Sequence, residues 1–221
     1  MIALSTKEDF MLKKLLLGLI ITLLLLTAIL LFIPQTQMIS LAVYHNYIKS
    51  STEFTVDGET LYMNGYICGL TPDQLEKVIT DNPQIKTIEM LEVTGSLDDE
   101  ANLPMAAWVR KKGLNTHLNK NSDIESGGTD FFLSGVTRTM DAGAKIGVHS
   151  WAETGTNIEG KDLPKDHPDH EMNRKYIEDM LGNDSFYWYT LYAAPADGMH
   201  FMTDEEILKY NMITEPIIQS K

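Results

Sequence analysis

From Leu15 to Ile33 the chain runs for 19 residues without a charge, Leu23-Leu24-Leu25-Leu26 at its centre. As a helix this run reaches roughly 28 Å, close to the hydrocarbon thickness of a bilayer. No helical period gives it a polar face, which argues against a buried core helix. A cleaved signal peptide is the competing reading, but the exit Leu30-Leu31-Phe32-Ile33-Pro34 is bulky where a small-x-small site is required. The run is therefore expected to be an uncleaved signal anchor, with 1–14 as cytoplasmic n-region and 34–52 as juxtamembrane linker. Lys13 and Lys14 precede it directly, so the positive-inside rule sends residues 53–221 to the extracytoplasmic side, the periplasm in a Gram-negative cell.

The formal charge of −13 over 221 residues, with hydrophobic residues at 43%, describes a globular acidic domain and makes nucleic acid an improbable partner. The single cysteine, Cys68, excludes an intrachain disulfide and any multi-cysteine metal site. His167-Pro168-Asp169-His170-Glu171 reads better as a solvated helix start than as a ligand set, so neither metal nor cofactor is expected.

Along the exported part, Phe54-Thr55-Val56 and Thr60-Leu61-Tyr62-Met63 flank Asp57-Gly58, a hairpin pattern. Thr71-Pro72-Asp73-Gln74 opens a helix that stops at Asn82-Pro83. Ile85 to Val93 alternates as a strand. A helix within 98–112 ends at Gly113, and Leu114–Leu118 forms the next strand. Further helices are expected at 168–181 and 203–210, and the aromatic run Phe186–Tyr192 is read as core, or as the lining of a substrate cleft or subunit interface. Alternating strands and helices predict an α/β class with a largely parallel sheet.

Chemistry concentrates in Ser122-Asp123-Ile124-Glu125-Ser126-Gly127-Gly128-Thr129. A serine before two glycines, between a strand and an apolar helix, follows the logic of a nucleophile elbow without its G-x-S-x-G spacing. The alternative is a serine cap followed by small packing residues. His149 closes the short strand read over Lys145–His149, 23 residues after Ser126, and supplies a candidate general base.

Ser126-Gly127-Gly128, its helix, and Gly135 through His149 together resemble the core of the ClpP/crotonase superfamily, nearest the exported membrane-anchored ClpP-like proteins. Signal peptide peptidase A is similar in having serine before two glycines, paired there with lysine. Met63-Asn64-Gly65-Tyr66-Ile67 and Phe201 through Ile213 extend the likeness over roughly residues 58–215. It implies a spiral of strand–helix units, a peptide or protein substrate, homo-oligomers, and a serine hydrolase with Ser126 as nucleophile and His149 as base. It also implies an oxyanion hole from Gly127 with Gly95 or Ser96, in a Val93-Thr94-Gly95-Ser96 loop holding one glycine where the family has two. Asp197 is the expected third member, and His200 of the same loop would line the site. Loss of turnover, leaving a non-catalytic envelope binding or scaffold protein, is the alternative.

Overall fold

The computed structural model describes residues 10, 13–28, 43–44, 48–153 and 158–219, and the chain divides into two units, residues 1–44 and 45–221. In the first unit residues 13–28 are helical, with exposed leucine and isoleucine side chains. Among the described residues no helix is long and apolar enough to cross a membrane. The end of the expected anchor, 29–33, and most of the expected linker lie outside the described residues.

The second unit opens with the expected hairpin. Strands β1 (Thr52–Asp57) and β2 (Thr60–Gly65) pair antiparallel around Gly58, whose φ of 58° suits a tight turn. Helix α1 (Thr71–Asp81) has proline in its first turn. Thr71 does not cap it; its hydroxyl instead accepts the Cys68 N–H at 2.9 Å. Strand β3 (Thr87–Met90) then lies parallel to β2.

The single strand expected over Ile85–Val93 is in fact two. Leu91 donates to the Met63 carbonyl at 2.9 Å, while its own carbonyl accepts from Asp123 at 2.8 Å. Its backbone is thus shared between two sheets, and the chain continues as β4 (Glu92–Val93) in the second of them. The same step recurs. Helix α2 (Asp99–Lys112) leads to β5 (Asn115–Leu118) in the first sheet and β6 (Asp123–Glu125) in the second. Helix α3 (Gly127–Phe132) leads to β7 (Arg138–Met140) and β8 (Lys145–Val148) in the same way. The first sheet has the order β1-β2-β3-β5-β7, parallel beyond the hairpin.

After β8 come a 3-10 turn at Pro168–His170, helix α4 (Glu171–Leu181) and helix α5 (Ser185–Ala193). Strand β9 (His200–Phe201) pairs antiparallel with β8, completing the second sheet as β4-β6-β8-β9. Helix α6 (Asp204–Lys209) follows, opened by a capping box of Thr203 and Glu206. Leu61, Met63, Ile88, Met90, Ile124, Phe131 and Phe132 are fully buried. Burying each such side chain contributes about 1.5–3 kcal/mol, which fixes the sheet faces.

Candidate active site

Ser126 stands between β6 and α3 with φ 52° and ψ −124°, one of two described non-glycine residues at positive φ. For a residue with a Cβ this is a costly conformation, kept only where neighbours over-determine it. The neighbours here are identifiable. The Ser126 N–H donates to the Gly147 carbonyl at 3.0 Å, and the Thr129 hydroxyl donates to the same carbonyl at 2.8 Å. The Ser126 carbonyl accepts from Thr129 at 2.8 Å and Asp130 at 3.2 Å, starting α3. The turn is thereby tied to β8, the strand that delivers His149. The serine side chain caps nothing.

The two glycines after it are steric requirements. A Cβ on Gly127 would stand 2.3 Å from the Ser96 Cβ, and one on Gly128 would stand 2.0 Å from the Val93 carbonyl oxygen. The nucleophile turn is therefore pressed against the loop 93–96, and the Ser96 amide nitrogen lies 3.0 Å from that missing Gly127 Cβ. The Asn102 side chain on α2 donates to the Gly127 carbonyl at 2.9 Å and holds the same junction.

Ser126, Gly127 and His149 line one cavity, about 540 Å³ of empty space counting its open mouth. Its remaining wall includes Asp99 from α2, Asp130 from α3, Tyr176 and Ile177 from α4, and Tyr187 from α5. The aromatic run of α5 thus supplies core at Phe186, which is buried, and cavity lining at Tyr187. His149 is half-buried. Its Nδ1 is buried with no hydrogen-bond partner, so Nε2 is the nitrogen left accessible.

The other residues singled out in the sequence lie differently. Asp197 is exposed, in a turn closed by the Gly198 N–H to the Pro195 carbonyl, and the cation that senses it is Lys161. No hydrogen bond joins it to His149. His200 bonds Glu206 at 2.8 Å through Nε2 and does not line the cavity. Lys145 pairs with Asp123 at 2.9 Å.

Three carboxylates outside the expected catalytic set belong to this region. Glu125 is the register partner of Gly147, and its Cγ would stand 2.9 Å from a Cβ there, so its side chain crosses the strand two residues before His149. Burial and the charge of Asp123 raise its pKa, against the opposing influence of His149 and Lys145. Burial, and then the charge of Asp99, push Asp130 up to about 8. Asp99 is itself raised by burial, with hydrogen bonds from Ser96 and Asn173 opposing. Only register and packing reveal these groups; the one sequence signal was that Glu125 and Asp130 flank the Ser-Gly-Gly turn.

No protein-family model matches the chain, and no curated protein matches it. Solved structures do. A membrane-bound stomatin-specific protease, 1510-N, superposes with a TM-score of 0.51 at 18% identity, over 75% of this chain and 81% of that one. The same protease in complex with a substrate peptide gives 0.49 at 19% identity, over 72% and 73%. An enoyl-CoA hydratase from Bacillus halodurans gives 0.49 at 14% identity, over 78% and 74%. At such identities the likeness is one of fold: the mixed α/β spiral is of the ClpP/crotonase type.

Proposed function

We propose that this chain is a serine hydrolase, a peptidase in class, acting through an acyl-enzyme formed on Ser126. The observation that carries the reading is a strained, uncapped serine opening into the same cavity as an accessible imidazole nitrogen. His149 Nε2 takes the proton as Ser126 Oγ attacks a carbonyl, returns it to the leaving amine, and then activates the water that releases the acyl group. The amides of Gly127 and Ser96 or Gly95 hold the oxyanion; losing one such donor costs about 3 kcal/mol in the barrier.

For Nε2 to act as base, Nδ1 must carry the proton, and that N–H lacks an acceptor. Glu125, crossing Gly147 beside the imidazole, is the carboxylate we assign to position it, in place of Asp197. The 1510-N likeness supports a peptide substrate at the level of fold, and the 19-residue uncharged run behind Lys13-Lys14 supports a membrane-anchored, extracytoplasmic setting. The homo-oligomer rests on the sequence resemblance alone. A second reading, a non-catalytic binding or scaffold protein, draws on the lack of a hydrogen bond between Ser126 and His149. Fluorophosphonate labelling of the full-length protein in detergent decides between them. Wild type labels, and Ser126→Ala and His149→Ala do not; equal labelling of Ser126→Ala removes the nucleophile assignment.

A further inference from the structure

Tyr187, in the first turn of α5, lines the cavity together with Ser126, His149 and Trp151. Its hydroxyl oxygen meets two ring nitrogens. Trp151 Nε1–H donates to it at 2.9 Å, and His170 Nδ1 lies 2.6 Å away. Both rings are held in place. A Cβ on Gly160 would stand 2.5 Å from the Trp151 ring, so the Gly160 backbone packs directly on the indole, while its N–H donates to the Trp151 carbonyl at 2.9 Å. His170 is 1% exposed and meets Trp151, Tyr187 and Trp188 edge-on, at centroid distances of 5.8, 5.7 and 5.0 Å.

The direction of the His170–Tyr187 hydrogen bond follows from the other imidazole nitrogen. Nε2 is buried, and no hydrogen-bonding group among the described residues meets it. An imidazolium would strand a charged N–H there. The neutral Nε2–H form would strand an uncharged one, which the face of an aromatic neighbour compensates only weakly. The Nδ1–H form strands a lone pair, the least costly of the three. In that form Tyr187 accepts from both His170 and Trp151. Both acceptor positions of the phenol oxygen are then filled, and neither neighbour can take its proton. Burial pushes the phenol up to about 12, against the Trp151 hydrogen bond, so the proton stays in place.

We infer that the Tyr187 O–H is a fixed hydrogen-bond donor to a carbonyl oxygen of the substrate, with His170 and Trp151 as the positioning residues that fill its lone pairs. The donor assignment stands on the geometry around Tyr187; that the acceptor belongs to a substrate of Ser126 rests on the hydrolase reading. Asp99 and Asp130 in the same cavity wall work against an anionic acceptor, and a neutral carbonyl is what a peptide supplies. A ligand of equal shape without that oxygen leaves the O–H unpaired, which is the basis of discrimination.

The test uses full-length Ser126→Ala in detergent, so that turnover plays no part. Long-range proton–nitrogen correlation NMR reads the His170 tautomer, its signals assigned through bonds from the backbone. The expected result is a protonated Nδ1 and an unprotonated Nε2; a protonated Nε2 overturns the proposal. Acetophenone is then titrated beside α-methylstyrene, which keeps the shape with a methylene in place of the carbonyl oxygen. Acetophenone is expected to bind about threefold tighter or more, and Tyr187→Phe to abolish the preference. Should Tyr187→Phe, which strands two donors, fail to melt cooperatively, Tyr187→Phe combined with Trp151→Phe replaces it. Equal or absent binding of the two probes, or a preference kept in the folded variant, overturns the donor. Fluorophosphonate labelling of wild type separates this inference from the hydrolase reading. No labelling with the preference intact sinks the hydrolase and keeps the donor; labelling that both probes slow equally sinks the donor and keeps the hydrolase.

Discussion

Ser126 holds φ 52° only because Gly147, Thr129 and the start of α3 claim its backbone groups. Glycine adopts that conformation without a Cβ penalty, so Ser126→Gly is expected to raise stability by about 1 kcal/mol while abolishing labelling. A urea midpoint moving up with unchanged slope is the check, and a downward shift contradicts the strain. His149 gives a second prediction at this scale. Replacing Glu125, the carboxylate proposed to position it, by Glu125→Gln should lower kcat/KM at least tenfold and move the acid limb of its pH profile. Asp197→Asn, in an exposed turn, should leave both within twofold. The opposite pattern would restore Asp197 to the role expected from the family resemblance.

The junction of α3 with the 93–96 loop is an element-scale device. Two helix-opening glycines let α3 lie against β4 closely enough for the amides of Gly127 and Ser96 to become neighbours. Gly128→Ala drives a methyl to 2.0 Å from the Val93 oxygen, a backbone atom that cannot rotate away. The expected loss is about 3 kcal/mol or more, read as a lower denaturation midpoint. Helix α2 presents Asp99 and Asn102 by ordinary local rules. Asp98 accepts the Ala101 N–H at 3.0 Å, acids fill the first turn, Arg110-Lys111-Lys112 fill the last, and Gly113 closes the helix at φ 76°. Removing that cap with Asp98→Ala is expected to cost about 1 kcal/mol.

For the whole molecule, two carboxylates set opposite limits on stability with pH. Although burial works the other way, the Thr203 amide and His200 hold Glu206 down to about 2. Its contribution is present above the unfolded value near 4.5 and is lost as pH falls toward 2. Asp130, raised to about 8, acts in reverse: its contribution is full below about 4 and is lost as pH rises through 8. The melting temperature is therefore expected to peak near pH 4–5 and decline toward 8. Asp130→Asn should flatten the alkaline limb and Glu206→Gln the acid one; an Asp130→Asn profile parallel to wild type from pH 4 to 8 refutes the buried-acid account. The hairpin, the helix stop at Gly113, the α/β alternation and the Ser126-Gly127-Gly128 turn were all legible in the amino-acid order, because turn and close-packing rules act over a few residues; the cap expected of Thr71 was not formed, its hydroxyl being taken by the Cys68 N–H. The division of Ile85–Val93 between two sheets was not, since it depends on which distant carbonyls Leu91 and its neighbours meet. Nor was the exposed turn in which Asp197 stands, nor the approach of Glu125 to the strand that delivers His149, nor that of Asp99 to Asp130. Spacing brought a serine and a histidine together as candidates; only packing decides which buried acids face them, because burial and charge proximity are properties of the folded chain.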